Sequence, residues 1–202
     1  MSSESPEMAA YFDNLEKSMR EAYEIAGIAR KKGYDPEAKV DIPLAKNMAE
    51  RVEGLISNVA PQLVGTGLID RIHELEKTYG VLDWRVALLI SEEVAREKFC
   101  KFKDNKEAME VAIRTGFAYH TLGIVAAPLE GFISLEIKKR RDGKEYLSPM
   151  FAGPIRGAGG TAAAFSVLLT DYIRIKMGYA PYDPDEEEVA RFKTEIMDYH
   201  VR

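Results

Sequence analysis

The stretch Phe132-Ile-Ser-Leu-Glu-Ile-Lys-Lys-Arg-Arg-Asp-Gly-Lys-Glu-Tyr-Leu-Ser-Pro-Met-Phe-Ala152 decides the fold class of this chain. Its first half alternates, with Ile133, Leu135 and Ile137 on one face and Ser134, Glu136 and Lys138 on the other, as a half-buried strand requires. Asp142-Gly143 interrupts the pattern, and both residues tolerate the positive φ of a tight hairpin turn. Lys144–Ala152 then runs back as a second strand. The rest of the chain reads as helix, so the expected fold is α+β and mainly helical: about seven helices with a β-hairpin near residues 132–152. Two strands alone make a marginal sheet, so the hairpin is expected to pack on helices or to join strands supplied from beyond Arg202.

Upstream, Pro6 to Lys32 carries Tyr11, Leu15, Met19, Tyr23 and Ala26 at near-helical spacing and ends in Lys31-Lys32-Gly33, a helix C-terminus. Tyr34–Pro43 holds two prolines and reads as a connector. Residues 1–39 are therefore expected to form a peripheral helix and linker, and residues 40–202 the compact body. Within the body, Leu44–Ser57, Thr66–Tyr79, Trp84–Phe99 (with Asp83 as N-cap) and Asp104 or Asn105 to Tyr119 each place apolar residues on one face. Downstream of the hairpin, Thr161–Met177 and Asp185–Tyr199 complete the helices. A chain that stops so soon after its last helical pattern is expected to be a piece of a longer one.

The 202 residues are 46% hydrophobic and 30% charged, a composition that supports a substantial core without disulfides. Cys100 stands alone, which excludes an intrachain bridge and a multi-cysteine zinc site and favours a reducing, intracellular setting. No apolar run reaches the roughly 20 residues needed to span a membrane. The net charge of −5 argues against a protein that coats DNA over its whole surface, so any polyanion contact must be local.

Three places carry local chemistry. Gly153–Thr161 opens into an apolar helix and contains Arg156, Gly157, Gly159 and Gly160; it suits either backbone approach to an anion or a tight helix crossing that uses Ala162, Ala163 and Ala164. It lacks the lysine of a nucleotide P-loop and the spacing of a dinucleotide fingerprint. Lys138-Lys-Arg-Arg-Asp-Gly-Lys144 suits either a nucleic-acid backbone or a solvated hairpin end whose lysines discourage strand pairing. Asp183-Pro-Asp-Glu-Glu-Glu188 reads better as a helix start than as a divalent-metal site, with Asp183 as the cap and Pro184 at the first helical position. His73, His120 and His200 have no ligand-spaced partners, and no nucleophile–base pair or acidic triad stands out. The residues by themselves specify no active site.

Ala127-Pro-Leu-Glu-Gly131, Lys138 to Tyr146 and Phe151-Ala-Gly-Pro-Ile-Arg-Gly-Ala-Gly-Gly-Thr161 together resemble the N-terminal region of the large subunit of archaeal family D DNA polymerase. Ile42-Pro-Leu-Ala45, Met48-Ala-Glu-Arg-Val-Glu53, Asp83-Trp-Arg-Val-Ala87 and Tyr182-Asp-Pro184 are similar too, so the resemblance runs through nearly the whole chain. Gly157 stands where many members carry serine. The resemblance implies a DNA-directed DNA polymerase of the archaeal cytoplasm, associated with the nucleoid. Its small subunit carries a 3′–5′ exonuclease, and a sliding clamp is a further partner. It also implies that the polymerase aspartates and the cysteine-rich zinc modules lie farther along the large subunit. Mg and Zn then belong to the complete enzyme, with no cofactor expected in this piece, and no membrane is involved. The expected role here is support for DNA binding and assembly, without polymerisation by this piece alone. Lys138, Lys139, Arg140, Arg141, Lys144, Arg156, Gly159, Gly160 and Thr161 are the expected DNA contacts. The alternative is a subunit-interaction platform with no direct DNA contact; a small-molecule phosphate enzyme is a looser third reading.

Overall fold

The computed structural model describes residues 5–34, 45–123, 126–157 and 160–200. They fall into two units, Met1–Leu44 and Ala45–Arg202, and the boundary expected near Val40 lies outside the described residues. In the first unit, α1 (Pro6–Lys31) starts with Pro6 behind Ser5, whose hydroxyl accepts from the Met8 amide, and no residue of the helix is buried.

The second unit contains α2 (Met48–Ile56), α3 (Leu68–Tyr79), α4 (Trp84–Ala95), α5 (Asn105–His120), β1 (Phe132–Lys139), β2 (Glu145–Phe151), α6 (Pro154–Gly157), α7 (Gly160–Lys176) and α8 (Glu186–His200). The mainly helical α+β expectation holds. Asn47-x-x-Glu50, Asp104-x-x-Glu107 and Asp185-x-x-Glu188 open α2, α5 and α8 by one device. The cap oxygen accepts from the glutamate's amide, and the glutamate's carboxylate reaches back to a main-chain N–H at or just before the cap.

The core is built around α4 and α5, flanked by α2, α3 and α7, with β1 packed on α5 and β2 on α7. Val86, Ile90 and Val94 meet Met109, Ile113 and Phe117 there, and Leu169 and Ile173 close the far side. Gly116 permits the α4–α5 crossing: a Cβ on it would fall 2.6 Å from the Ala87 carbonyl oxygen and also against Ser91 Oγ. The hairpin thus rests on helices, one of the two expected solutions.

Four expectations need correction. Helix α4 ends at Ala95 and not near Phe99, because Glu97 turns left-handed (φ 54°). The Glu97 carboxylate stabilises that reversal by accepting from the Phe102 amide at 2.9 Å. Helix α3 starts at Leu68, two positions later than expected, because Gly67 is left-handed (φ 94°) at its N-cap. The glycine segment is not wholly loop, since Pro154–Gly157 forms the short α6. Finally, the simple alternation of β1 fails at Ile133. Phe132 faces Phe151 and Ser134 faces Met150, so Ile133 is the extra residue of a bulge, and it is 49% exposed while Phe132 and Leu135 are buried.

Candidate nucleic-acid interface

The base of the hairpin is fixed from α5. Arg114 is 9% exposed and donates to the carbonyls of Pro128 (2.6 Å), Leu129 (3.3 Å), Phe132 (2.6 Å) and Ile133 (2.6 Å). The planar guanidinium suits this, because its donors diverge and reach several acceptors at once. Burial pulls the Arg114 guanidinium below its ordinary pKa, with the nearby Glu110 charge acting against that. One helical turn earlier, Glu110 accepts from the Leu135 amide at 2.7 Å. Arg114 and Glu110 therefore hold both the bulge and the strand behind it.

From that anchored base the ribbon runs to a tip at Arg140–Lys144. The Gly143 amide donates to the Arg140 carbonyl and the Arg140 amide to the Lys144 carbonyl, and Gly143 is left-handed (φ 83°). This is a turn closed by a glycine bulge, in which Gly143 carries the positive φ and Asp142 does not. Asp142 accepts from the Lys144 amide, and that bond, with Arg140 and Lys144 beside it, holds its carboxyl below the usual range.

The five basic side chains of the tip have unequal fates. Arg140 is turned inward, 16% exposed: Nη1 donates to the Pro181 carbonyl at 3.0 Å, and Nη2 lies 3.1 Å from Asp142 and 3.5 Å from Asp183. Arg141 is 73% exposed and reaches Asp185 at 2.6 Å. Lys144 is 70% exposed and 3.7 Å from Asp142, and Lys138 sits 3.0 Å from Glu136 on its own strand. Lys139 is exposed, opposite Glu145 in the register, with no ion pair among the described residues. The exposed cations of the tip are therefore Lys138, Lys139, Arg141 and Lys144, with Lys138 and Lys139 on opposite faces of β1.

Two of the acidic partners, Asp183 and Asp185, come from the connector between α7 and α8, whereas Asp142 and Glu136 belong to the hairpin itself. The Ala180 amide donates to the Glu145 carbonyl at 2.8 Å, and the rings of Tyr146 and Tyr182 lie 5.1 Å apart. A hydrogen bond to Glu188 pushes the Tyr182 phenol up to about 12. Asp183 does not cap the last helix as expected: the reciprocal bonds between Asp185 and Glu188 start it after Pro184, and Asp183 lies beside Arg140 instead. Sequence reasoning missed both this link and Arg114, because the partners lie tens of residues away or on an apolar helix face.

The glycine segment lies at the other end of the ribbon. Strands of 8 and 7 residues separate it from the tip by roughly 20 Å, at about 3.3 Å per residue. The expected contact residues thus form two clusters. Arg156 belongs to α6 by its backbone; its side chain, and Gly159, lie outside the described residues. Gly160 and Thr161 are exposed at the start of α7. A Cβ on Gly153 or Gly160 would meet nothing within 4 Å, and neither has a positive φ, so at these two glycines the tight-crossing reading has no support.

Among the described residues no three His, Cys, Asp or Glu side chains converge as a metal site. No helix among them is long and apolar enough to cross a membrane.

The family model described as "DNA polymerase II large subunit DP2, N-terminal" matches residues 10–201. The DNA polymerase II large subunit of Nanoarchaeum equitans is 50% identical over 94% of this chain and 15% of its own length. Those of Methanococcoides burtonii and Thermococcus kodakarensis are 45% and 43% identical over 96% and 97% of the chain, and over 16% and 10% of their own lengths. The chain thus spans about a sixth or less of the curated relatives it matches.

Proposed function

The chain belongs to the N-terminal family of DNA polymerase II large subunits, and on that premise we propose that it holds the phosphate backbone of DNA for a replicative DNA-directed DNA polymerase. The polymerase centre then lies elsewhere in the large subunit. The observation that carries this reading is the tip itself. Lys139, Arg141 and Lys144 are exposed on a ribbon braced at its base by Arg114, so several cations are offered close together, as contact with a phosphate backbone requires. Roughly 20 Å away, exposed Gly160 and Thr161 at the start of the 17-residue α7 form a second patch, whose glycine has no internal packing or φ requirement.

Assembly is the second part of the proposal, and α8 supports it. Val189, Phe192 and Ile196 recur at helical spacing and are 40%, 63% and 61% exposed. That stripe suits packing against another part of the polymerase complex, where the small exonuclease subunit and a sliding clamp are the proposed partners.

Changing Lys139, Arg141 and Lys144 to alanine in the complete heterodimer tests the DNA role. Affinity for primer-template DNA is expected to fall, and the slope of log K against log salt to shrink by about 0.9 for each phosphate no longer neutralised. Unaltered affinity and slope would leave only the assembly role.

A further inference from the structure

The guanidiniums of Arg140 and Arg141 are already engaged by anions of the same chain. Arg140 lies between Asp142 and Asp183 and donates to Pro181, while Arg141 meets Asp185. Two of the carboxylates that occupy them, Asp183 and Asp185, sit on the Tyr179–Asp185 connector, held along the ribbon by the Ala180–Glu145 bond and the Tyr146–Tyr182 contact. Asp185 is also the N-cap of α8, using Oδ1 for the Glu188 amide and Oδ2 for Arg141. Basic tip, acidic connector and first turn of α8 are thus one continuous set of contacts. A further detail shows that the set is not saturated: Nε of Arg140 is buried with no hydrogen-bond partner.

We propose that the acidic connector competes with DNA for the hairpin tip, so that phosphate engaging Arg140 and Arg141 displaces Asp183 and Asp185 and loosens the entry to α8. The inference rests on the reading of the tip as a DNA contact. Exposed ion pairs of this kind are weak and screened by salt, whereas a polyphosphate backbone gains counterion release with every cation it meets. The exchange is therefore favourable for Arg141 at once. For Arg140 it requires the connector to lift, and the unpartnered Nε gains an acceptor when it does. Linkage makes the effect reciprocal: whatever weakens the connector's hold strengthens DNA binding, and DNA weakens the connector's hold. The connector thus sets how much of the tip's positive charge is available, and α8, with its exposed apolar stripe, reports on whether DNA is present.

The test uses the complete polymerase heterodimer and primer-template DNA at two salt concentrations. The double variant Asp183→Asn/Asp185→Asn keeps a good N-cap and is expected to raise affinity about two- to tenfold at the lower salt. Glu195→Gln/Asp198→Asn makes the same charge change farther along α8 and is expected to stay within about twofold of the parent. Hydrogen exchange of residues 181–190 is expected to quicken when DNA is added to the parent protein. If Arg141→Ala/Lys144→Ala leaves DNA affinity unaltered, the tip is not a DNA contact and both readings fall. If that variant weakens binding, the tip reading stands. The competition is then overturned if Asp183→Asn/Asp185→Asn has no effect, if Glu195→Gln/Asp198→Asn matches it, or if exchange at 181–190 is unmoved by DNA.

Discussion

Arg114 meets Phe132 twice: its Nη1 donates to the Phe132 carbonyl at 2.6 Å, and its guanidinium carbon lies 4.9 Å from the centroid of the Phe132 ring. The same side chain takes the Ile133 carbonyl, so both carbonyls at the bulge are bound by one residue of α5. The bulge determines which side of β1 faces the core, and everything beyond it, including the tip, inherits that choice.

Arg114→Leu is therefore expected to be severely destabilising, by about 3–5 kcal/mol, because buried carbonyls lose their donor. Arg114→Lys should recover only a minor part, since one ammonium cannot serve divergent acceptors. Urea unfolding of both variants measures this; a loss under about 0.5 kcal/mol for the leucine variant would mean that Arg114 does not hold the hairpin.

Gly116→Ala is expected to cost about 2 kcal/mol through overpacking of the α4–α5 crossing. Adding Ser91→Ala should restore only part of the stability, because it removes the hydroxyl and leaves the Ala87 carbonyl oxygen 2.6 Å from the new Cβ. Full recovery in thermal unfolding of the double variant would mean the helices can part freely there.

The Arg71–Glu93 pair predicts a pH dependence. Burial pushes the Glu93 carboxyl up, but hydrogen bonds from Arg71 and Lys98 outweigh it, and the folded-state pKa lies below the ordinary value. A depressed carboxylate contributes stability that is complete above its unfolded pKa, about 4.3, and is lost as pH falls through the folded value. Glu93→Gln should therefore be less stable than the parent at pH 7, and the gap should close as the pH drops below about 4. Glu92, bonded to Tyr172, Lys176 and Arg96, is depressed in the same way and should behave alike. Acid titration of unfolding free energies checks both; a gap independent of pH contradicts a stabilising ion pair.

Gly160→Ala separates folding from binding. With open space at its Cβ and no positive φ, it is expected to leave stability unchanged or raise it by up to about 1 kcal/mol. If the backbone there approaches phosphate, DNA affinity of the heterodimer should nevertheless fall severalfold. Equal affinity and equal stability together would mean that the start of α7 makes no DNA contact.

Much of the fold was legible because its signals are local. Asp83 caps α4 as its position before the apolar stripe implied, Gly80 and Gly178 end α3 and α7, and the Asp142-Gly143 pair lies in the turn. What was not legible depends on partners distant in sequence. The bulge at Ile133 is held by Arg114, 19 residues earlier. Asp185 takes the capping role expected of Asp183, which lies beside Arg140 instead, and Arg140 turns inward while its neighbour Arg141 stays out. A run of like charges states how many cations there are; only the surrounding contacts decide which of them remain available. The tip and the glycine segment are separated by few residues, yet an extended ribbon places them at opposite ends.

One consequence concerns the outer edge of β1. A third strand would need the backbone groups of Phe132, Ile133 and Leu135 that Arg114 and Glu110 already occupy. Two side chains on one turn of a helix thus stand in for a strand at these positions, and they protect this part of the β1 edge from pairing with a foreign chain. Such protection is narrow. A real strand would shield many positions through its backbone, whatever its sequence, whereas here a single substitution at residue 110 or 114 uncovers the edge. Aggregation is then the failure to expect from drift at these two sites.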